Sequence, residues 1–188
     1  MGPGRLGGLF HPAGAGPKLD PEGDGGRNRR MRVFYSDEIS KPPEVVFPWI
    51  ADPEKAMQWQ KNVKGGEILI DRPEIVGTTF VETIEEDGRS LEMRGEITAY
   101  RENQVIGFHL QSKIHEFDIR YSVEETEKAT RLSIEAMIRW KFPMNLIALF
   151  AGKRMEAGIQ EQLASEVLEL KRLCEGEGRA RSRVPGDG

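Results

Sequence analysis

Cysteine is almost absent from the chain: Cys174 is the one thiol in 188 residues, so no internal disulfide can form and nothing points to an oxidising compartment. Histidine is scarce too, at three, and no His/Cys/Asp group has metal-ligand spacing, so neither a metal nor another cofactor is expected. Long apolar runs are missing. The longest, LIALFAG at 146–152, falls far short of the roughly 20 residues that cross a bilayer. The stretch 2–16 is broken throughout by Gly and Pro and cannot supply the apolar centre of a secretory signal, so a cytoplasmic location is expected. No excess of positive charge exists either: 27 Lys+Arg against 31 Asp+Glu gives a net charge of −4, which excludes the basic footprint of a nucleic-acid binder. A phosphate-cradling glycine loop, a dinucleotide fingerprint and a Gly-x-Ser-x-Gly elbow are all lacking.

What is present is unevenly spread. Residues 1–31 hold nine of the 21 glycines and residues 175–188 another four. This composition predicts a disordered leader over 1–31, a folded domain over 32–174 and a disordered tail over 175–188. The central stretch is long enough to bury a sizeable core.

Within it, Arg32–Ile39 reads as a first strand. Ser40 before Lys41-Pro42-Pro43-Glu44 predicts a capped short helix with Val45, Val46, Trp49 and Ile50 on its apolar face and a kink at Pro48. Asp52-Pro53-Glu54 opens a second short helix that carries Met57 and Trp59 and is broken by Gly65-Gly66. Residues 67–71 form a short strand. From Val76 onward an antiparallel meander is legible. The Asp87-Gly88 pair signals a hairpin that sets Ile84 opposite Leu91, Glu82 opposite Met93 and Phe80 opposite Gly95. Loop 101–104 then pairs Ala99 with Ile106, Ile97 with Phe108 and Gly95 with Leu110. A turn at Ser112-Lys113 sets Leu110 against His115, Phe108 against Phe117 and Ile106 against Ile119. Loop 126–129 pairs Tyr121 with Ile134, Ile119 with Ala136, Phe117 with Ile138 and His115 with Trp140. One face of these strands is apolar, and the other carries Arg94, Glu96, Asp118, Arg120, Glu135 and Arg139. Pro143 starts a long helix reaching about Cys174, with an apolar stripe of Ala151, Met155, Ile159, Leu163, Val167, Leu170 and Cys174, while Glu156, Glu161, Glu166, Lys171 and Arg172 face away. The fold class is α+β: a curved antiparallel sheet of about seven strands wrapped on a long C-terminal helix, with two short helices after the first strand.

The residues at 40–59 (SKPPEVVFPWIADPEKAMQW) resemble the opening motif of the START-like, helix-grip superfamily, which includes polyketide cyclase/dehydrase-like and lipid-transfer proteins. Val76-Gly77-Thr78-Thr79-Phe80 resembles its Val-Gly-Thr strand entry, and residues 96–108 resemble its strand–turn–strand segment. The resemblance covers 32–174. It implies a cavity between sheet and long helix that binds a lipid, isoprenoid or polyketide, for transport or sensing.

The residues expected to line such a cavity are Phe80, Glu82, Met93, Ile97, Phe108, Leu110, His115, Phe117, Ile119, Tyr121, Trp140, Phe150 and Met155, with Gly95 leaving a gap in the row Trp140–His115–Leu110–Gly95–Phe80. A core filled by these same side chains is the alternative. Glu82 and His115 are the two ionisable groups on the apolar face. Burial raises the pKa of an unpartnered carboxyl, which makes Glu82 a candidate acid or ligand anchor, the plainer alternative being a solvated or Arg-paired residue at the rim. His115 is expected at a strand end with its ring partly exposed. Two other functions stay compatible with the residues. One is a cyclase or dehydratase with Glu82 and His115 as acid and base, although some 14 Å separate their rows in a flat sheet. The other is a protein-interaction module of the chaperone-activator or ribosome-binding type. Leu146, Leu149 and Phe150 lie off the helix stripe, where they form a lip for transient membrane or protein contact or pack against the short helices. His109 points to the solvated face, and Cys174 is an apolar filler.

Overall fold

Alternation sets the first element. Along Arg30–Ile39 (β1), Val33 and Ile39 are buried while Arg32, Phe34 and Glu38 are exposed, the pattern of a strand with one covered face. The computed structural model describes residues 30–86 and 88–181. It continues with two short helices, α1 (Pro43–Ala51) and α2 (Pro53–Ala56), then β2 (Val63–Ile70), β3 (Thr79–Glu86), β4 (Arg89–Arg101), β5 (Val105–Gln111), β6 (His115–Glu125), β7 (Thr130–Trp140) and one long helix, α3 (Met144–Arg181). The strands form one antiparallel sheet in the order β1-β7-β6-β5-β4-β3-β2. This is the helix-grip α+β architecture. β1 begins two residues before position 32, and α3 runs seven residues past Cys174. Residues 1–29 and 182–188, where the leader and the end of the tail were expected, lie outside the described residues.

Both short helices start at proline, whose fixed φ suits the first helical turn. The cap of α1 is Pro42 and makes no side-chain capping bond, so Ser40 does not cap this helix; Pro48 sits inside it. Asp52 does cap α2, its carboxylate accepting from the Glu54 N–H at 2.9 Å. Gly65-Gly66 do not end a helix. They lie inside β2, where a Cβ on Gly66 would stand 3.1 Å from the Val81 carbonyl oxygen, so the strand backbones approach where a side chain would crowd them.

The β3–β4 hairpin has the expected register, Ile84 with Leu91, Glu82 with Met93 and Phe80 with Gly95. Gly88 takes φ +70°, the conformation that such a turn needs; Asp87 lies outside the described residues. The β6–β7 register also matches from Tyr121–Ile134 to His115–Trp140. Two pairings differ. Between Ile97 and Ala99 a bulge adds one residue to β4, so Ala99 faces Gly107 and it is Tyr100 that pairs with Ile106. The β5–β6 turn lies one residue later than expected, which moves every pairing by two: Leu110 faces Phe117, Phe108 faces Ile119 and Ile106 faces Tyr121. Ser112 causes the shift. Its hydroxyl accepts from the N–H groups of Ile114 and His115, both at 3.2 Å, so Ser112 closes the turn instead of occupying it. A shift of two leaves every side chain on its expected face.

The core has two parts. The larger joins α1, Trp59 and Ile106, Tyr121, Leu132 and Ile134 of the sheet to Val167, Leu170 and Cys174 of α3. The smaller gathers Val33, Ile138 and Trp140, with Met155 and Ile159 of α3 packed against them.

Candidate ligand pocket

Between the two core parts, the inward face of the sheet is only half covered. Phe80, Ile97, Phe108, Phe117 and Ile119 face inward and are half-buried, as are Met155, Ile159 and Leu163 on the facing stripe of α3; Met93, Leu110, Tyr121 and Trp140 are buried. Close packing of all these side chains would bury them fully. Full burial is reached at the end of the domain around Val167–Cys174, while the half-buried side chains pack against the two cores from its other end. The side chain of Phe150, with those of Leu146 and Leu149, lies outside the described ones.

Four aromatic rings cross this face edge to face: Trp59 with Tyr121 at 6.3 Å, Tyr121 with Phe108 at 6.2 Å and Phe108 with Phe80 at 6.0 Å, an arrangement that matches ring edges to ring faces. The gap expected at Gly95 is occupied. The Phe80 ring lies across it, and a Cβ on Gly95 would overlap that ring, with Cε1 at 2.8 Å. Gly95→Val is therefore expected to displace Phe80 and cost about 1–3 kcal/mol of stability. Urea unfolding and a structure of the variant check this; an unmoved Phe80 would contradict it.

Glu82 is half-buried on the inward face opposite Met93 and has no hydrogen bond or ion pair among the described residues. Burial alone raises its carboxyl pKa to about 7. Among the described residues no arginine pairs with it, and its partial exposure leaves it some contact with water. Tyr121 is 8% exposed, and its hydroxyl makes no hydrogen bond. Burial raises the Tyr121 pKa first, and the negative charges of Glu166 and Glu82 raise it further, so both carboxyls act electrostatically on that hydroxyl.

Glu166 was expected to face away from the core and does not. It is 6% exposed and accepts from the Lys61 N–H at 3.1 Å and from Gln162 Nε2 at 3.0 Å. Burial raises its pKa against these two bonds. The signal was in the spacing: Glu166 stands three residues after Leu163 and four before Leu170, on the buried stripe itself.

His115 is buried at 4% exposure, not partly exposed at a strand end. Its ring packs on Phe117 at 4.5 Å and on Trp140 at 5.4 Å, and its Nδ1 stands 2.8 Å from the Ser112 hydroxyl. Burial, and to a lesser degree the Lys141 charge, push its pKa down, against a hydrogen bond at its own backbone that raises it. The structure does not bring Glu82 and His115 together: they stand on β3 and β6, and Ser112 engages one while nothing engages the other. Beside His115, the buried Trp140 Nε1 has no hydrogen-bond partner. Tyr100, turned inward by the bulge, packs its ring on Phe47 at 5.8 Å.

The outer face is charged. His109 meets Asp118 at 2.7 Å, Asp118 meets Arg139 at 2.7 Å, and Glu116 links Arg139 at 3.3 Å to Lys141 at 3.1 Å. Among the described residues no group of His, Cys, Asp and Glu could hold a metal ion, and no helix is long and apolar enough to cross a membrane.

Residues 30–175 match the protein family described as polyketide cyclase/dehydrase and lipid transport. No curated protein matches the chain. Among solved structures, TTHA0849 from Thermus thermophilus superposes with a TM-score of 0.64 at 15% identity, covering 78% of this chain and 99% of that one. A START superfamily protein from Mycobacterium smegmatis gives 0.59 at 21% identity over 76% and 98%, and SA2116 from Staphylococcus aureus gives 0.63 at 12% identity over 81% and 98%. At these identities the likeness shows a shared fold.

Proposed function

The chain belongs to the polyketide cyclase/dehydrase and lipid transport family, and we propose that it binds a hydrophobic small molecule between its sheet and the first half of α3. The observation that carries this reading is the half-buried lining itself. Phe80, Ile97, Phe108, Phe117, Ile119 and Met155 stay short of full burial around a carboxyl and a phenol that no group among the described residues engages by a hydrogen bond. Apolar walls with a few unsatisfied polar groups are the composition of a small-molecule site. Met93, Leu110, His115 and Trp140 form its buried back wall. An acid–base pair of Glu82 and His115 is not part of the reading, because Nδ1 of His115 is held by Ser112.

Native mass spectrometry of the full chain, purified from a lipid-containing extract and then denatured, tests this. The expected result is a stoichiometric adduct that releases an isoprenoid, fatty alcohol, lipid or polyketide. A chain that carries nothing and takes up nothing from added lipids would overturn it.

A further inference from the structure

The ionisable groups that face the pocket are acids, and its neutral donors are the Tyr121 hydroxyl and the Trp140 Nε1–H. Among the described residues Glu82 is a carboxyl without a partner; Tyr121, a residue 8% exposed, offers a hydroxyl without a hydrogen bond; Glu166 adds a second buried carboxyl whose charge acts on that hydroxyl. No cation among the described residues acts on Glu82 or Tyr121, and of the three groups only Glu166 feels one, Lys61. Burial is the one influence on Glu82, and the charges acting on Tyr121 are the two carboxylates. Lys61 bonds Ser165, Lys64 pairs with Glu85 at 3.9 Å and Lys141 with Glu116 at 3.1 Å. His115 is a poor substitute, since burial works against its charged form.

An anionic head group entering this space would lose its hydration, meet no compensating cation and lie against carboxyls. A hydrogen-bond donor would instead satisfy an acceptor that the fold leaves open. We propose that the pocket selects apolar molecules bearing a hydroxyl or amine, with Glu82 and the Tyr121 hydroxyl as their polar contacts, and rejects free carboxylates and phosphates. The selectivity rests on the reading of this space as a ligand site, and goes beyond it by naming the head-group chemistry.

The test compares three probes with one tail, dodecanol, dodecylamine and dodecanoate, titrated below micellar concentration into the full chain at pH 8 and followed by tryptophan fluorescence and calorimetry. The alcohol and the amine are expected to bind at least about tenfold more tightly than dodecanoate. Glu82→Gln should bring dodecanoate to within about threefold of the amine, and Tyr121→Phe should weaken the alcohol while leaving dodecanoate unchanged. Dodecanoate binding as tightly as the amine, or a preference that survives Glu82→Gln and Tyr121→Phe alike, overturns the selectivity and leaves the ligand site standing. No binding of any probe overturns both.

Discussion

Trp59→Ala is expected to remove about 3–5 kcal/mol of folding stability, the range for truncating a fully buried tryptophan. Trp59 is 1% exposed, its Nε1 donates to the Trp49 carbonyl oxygen at 2.8 Å, and its ring meets Tyr121 edge to face. The residue thus fastens the segment after α2 to the end of α1, and supplies the wall behind Tyr121. Total stability for a domain is about 5–15 kcal/mol, so this one truncation removes a large share of it. At about 2–4 °C per kcal/mol for a chain of this size, the thermal midpoint falls by roughly 10 °C. Trp59→Phe keeps most of the apolar surface and loses the hydrogen bond, for which about 1–2 kcal/mol is expected. Urea unfolding followed by far-ultraviolet dichroism separates the two variants. A loss below about 1 kcal/mol for the alanine variant would show that the Trp49–Trp59–Tyr121 junction carries no such weight.

The second large effect has the opposite sign: Glu82→Gln is expected to make the domain more stable. With a folded pKa of about 7 against an ordinary 4.5, the native carboxyl keeps its proton where the unfolded one has lost it. Between those values the folded state binds more protons, so Glu82 makes stability fall as pH rises, and the penalty is complete above about pH 7. At 1.36 kcal/mol per unit of pKa the full shift corresponds to about 3 kcal/mol, and some retained water contact brings the expectation to about 2–3 kcal/mol. The glutamine variant should match the wild type near pH 4 and exceed it by that amount at pH 8. The raised pKa of Glu166 acts in the same direction as that of Glu82, whereas the lowered pKa of His115 removes stability as pH falls below about 6.5. Both remain in the variant, so the difference between the two proteins isolates Glu82. Denaturation midpoints measured from pH 4 to pH 8 check it, and parallel curves would contradict it.

The sheet was legible because alternation with period two leaves little freedom: a wrong register by one residue would place Met93, Leu110 or Ile134 on the charged face. The same parity explains what slipped. Moving the β5–β6 turn by one residue changes every partner and no face, so the pattern cannot detect it; the cause was a side-chain bond from Ser112, not hydrophobicity. The bulge near Ala99 left no mark either, since Thr98, Ala99 and Tyr100 are all tolerable on both faces. Gly95 read as a void because a sequence shows the missing side chain and not the ring that folds across it. Glu166 was misplaced by its charge when its spacing was right. The inward-facing residues could be named from the strands, but how closely α3 covers them depends on its distance from the sheet, which no local pattern records.

That helix has one further property. Met155, Ile159 and Leu163 along its first half are half-buried, whereas Val167, Leu170 and Cys174 are fully buried beside α1 and Trp59. Protection from solvent exchange therefore rises along a single continuous element. Amides near 167–174 open only with the whole domain, while those near 153–160 open in smaller, cheaper fluctuations. For the occupant proposed above, breathing of the early turns is the expected route of entry and exit while the far end stays clamped, so the rate of ligand exchange is expected to be set separately from the lifetime of the fold.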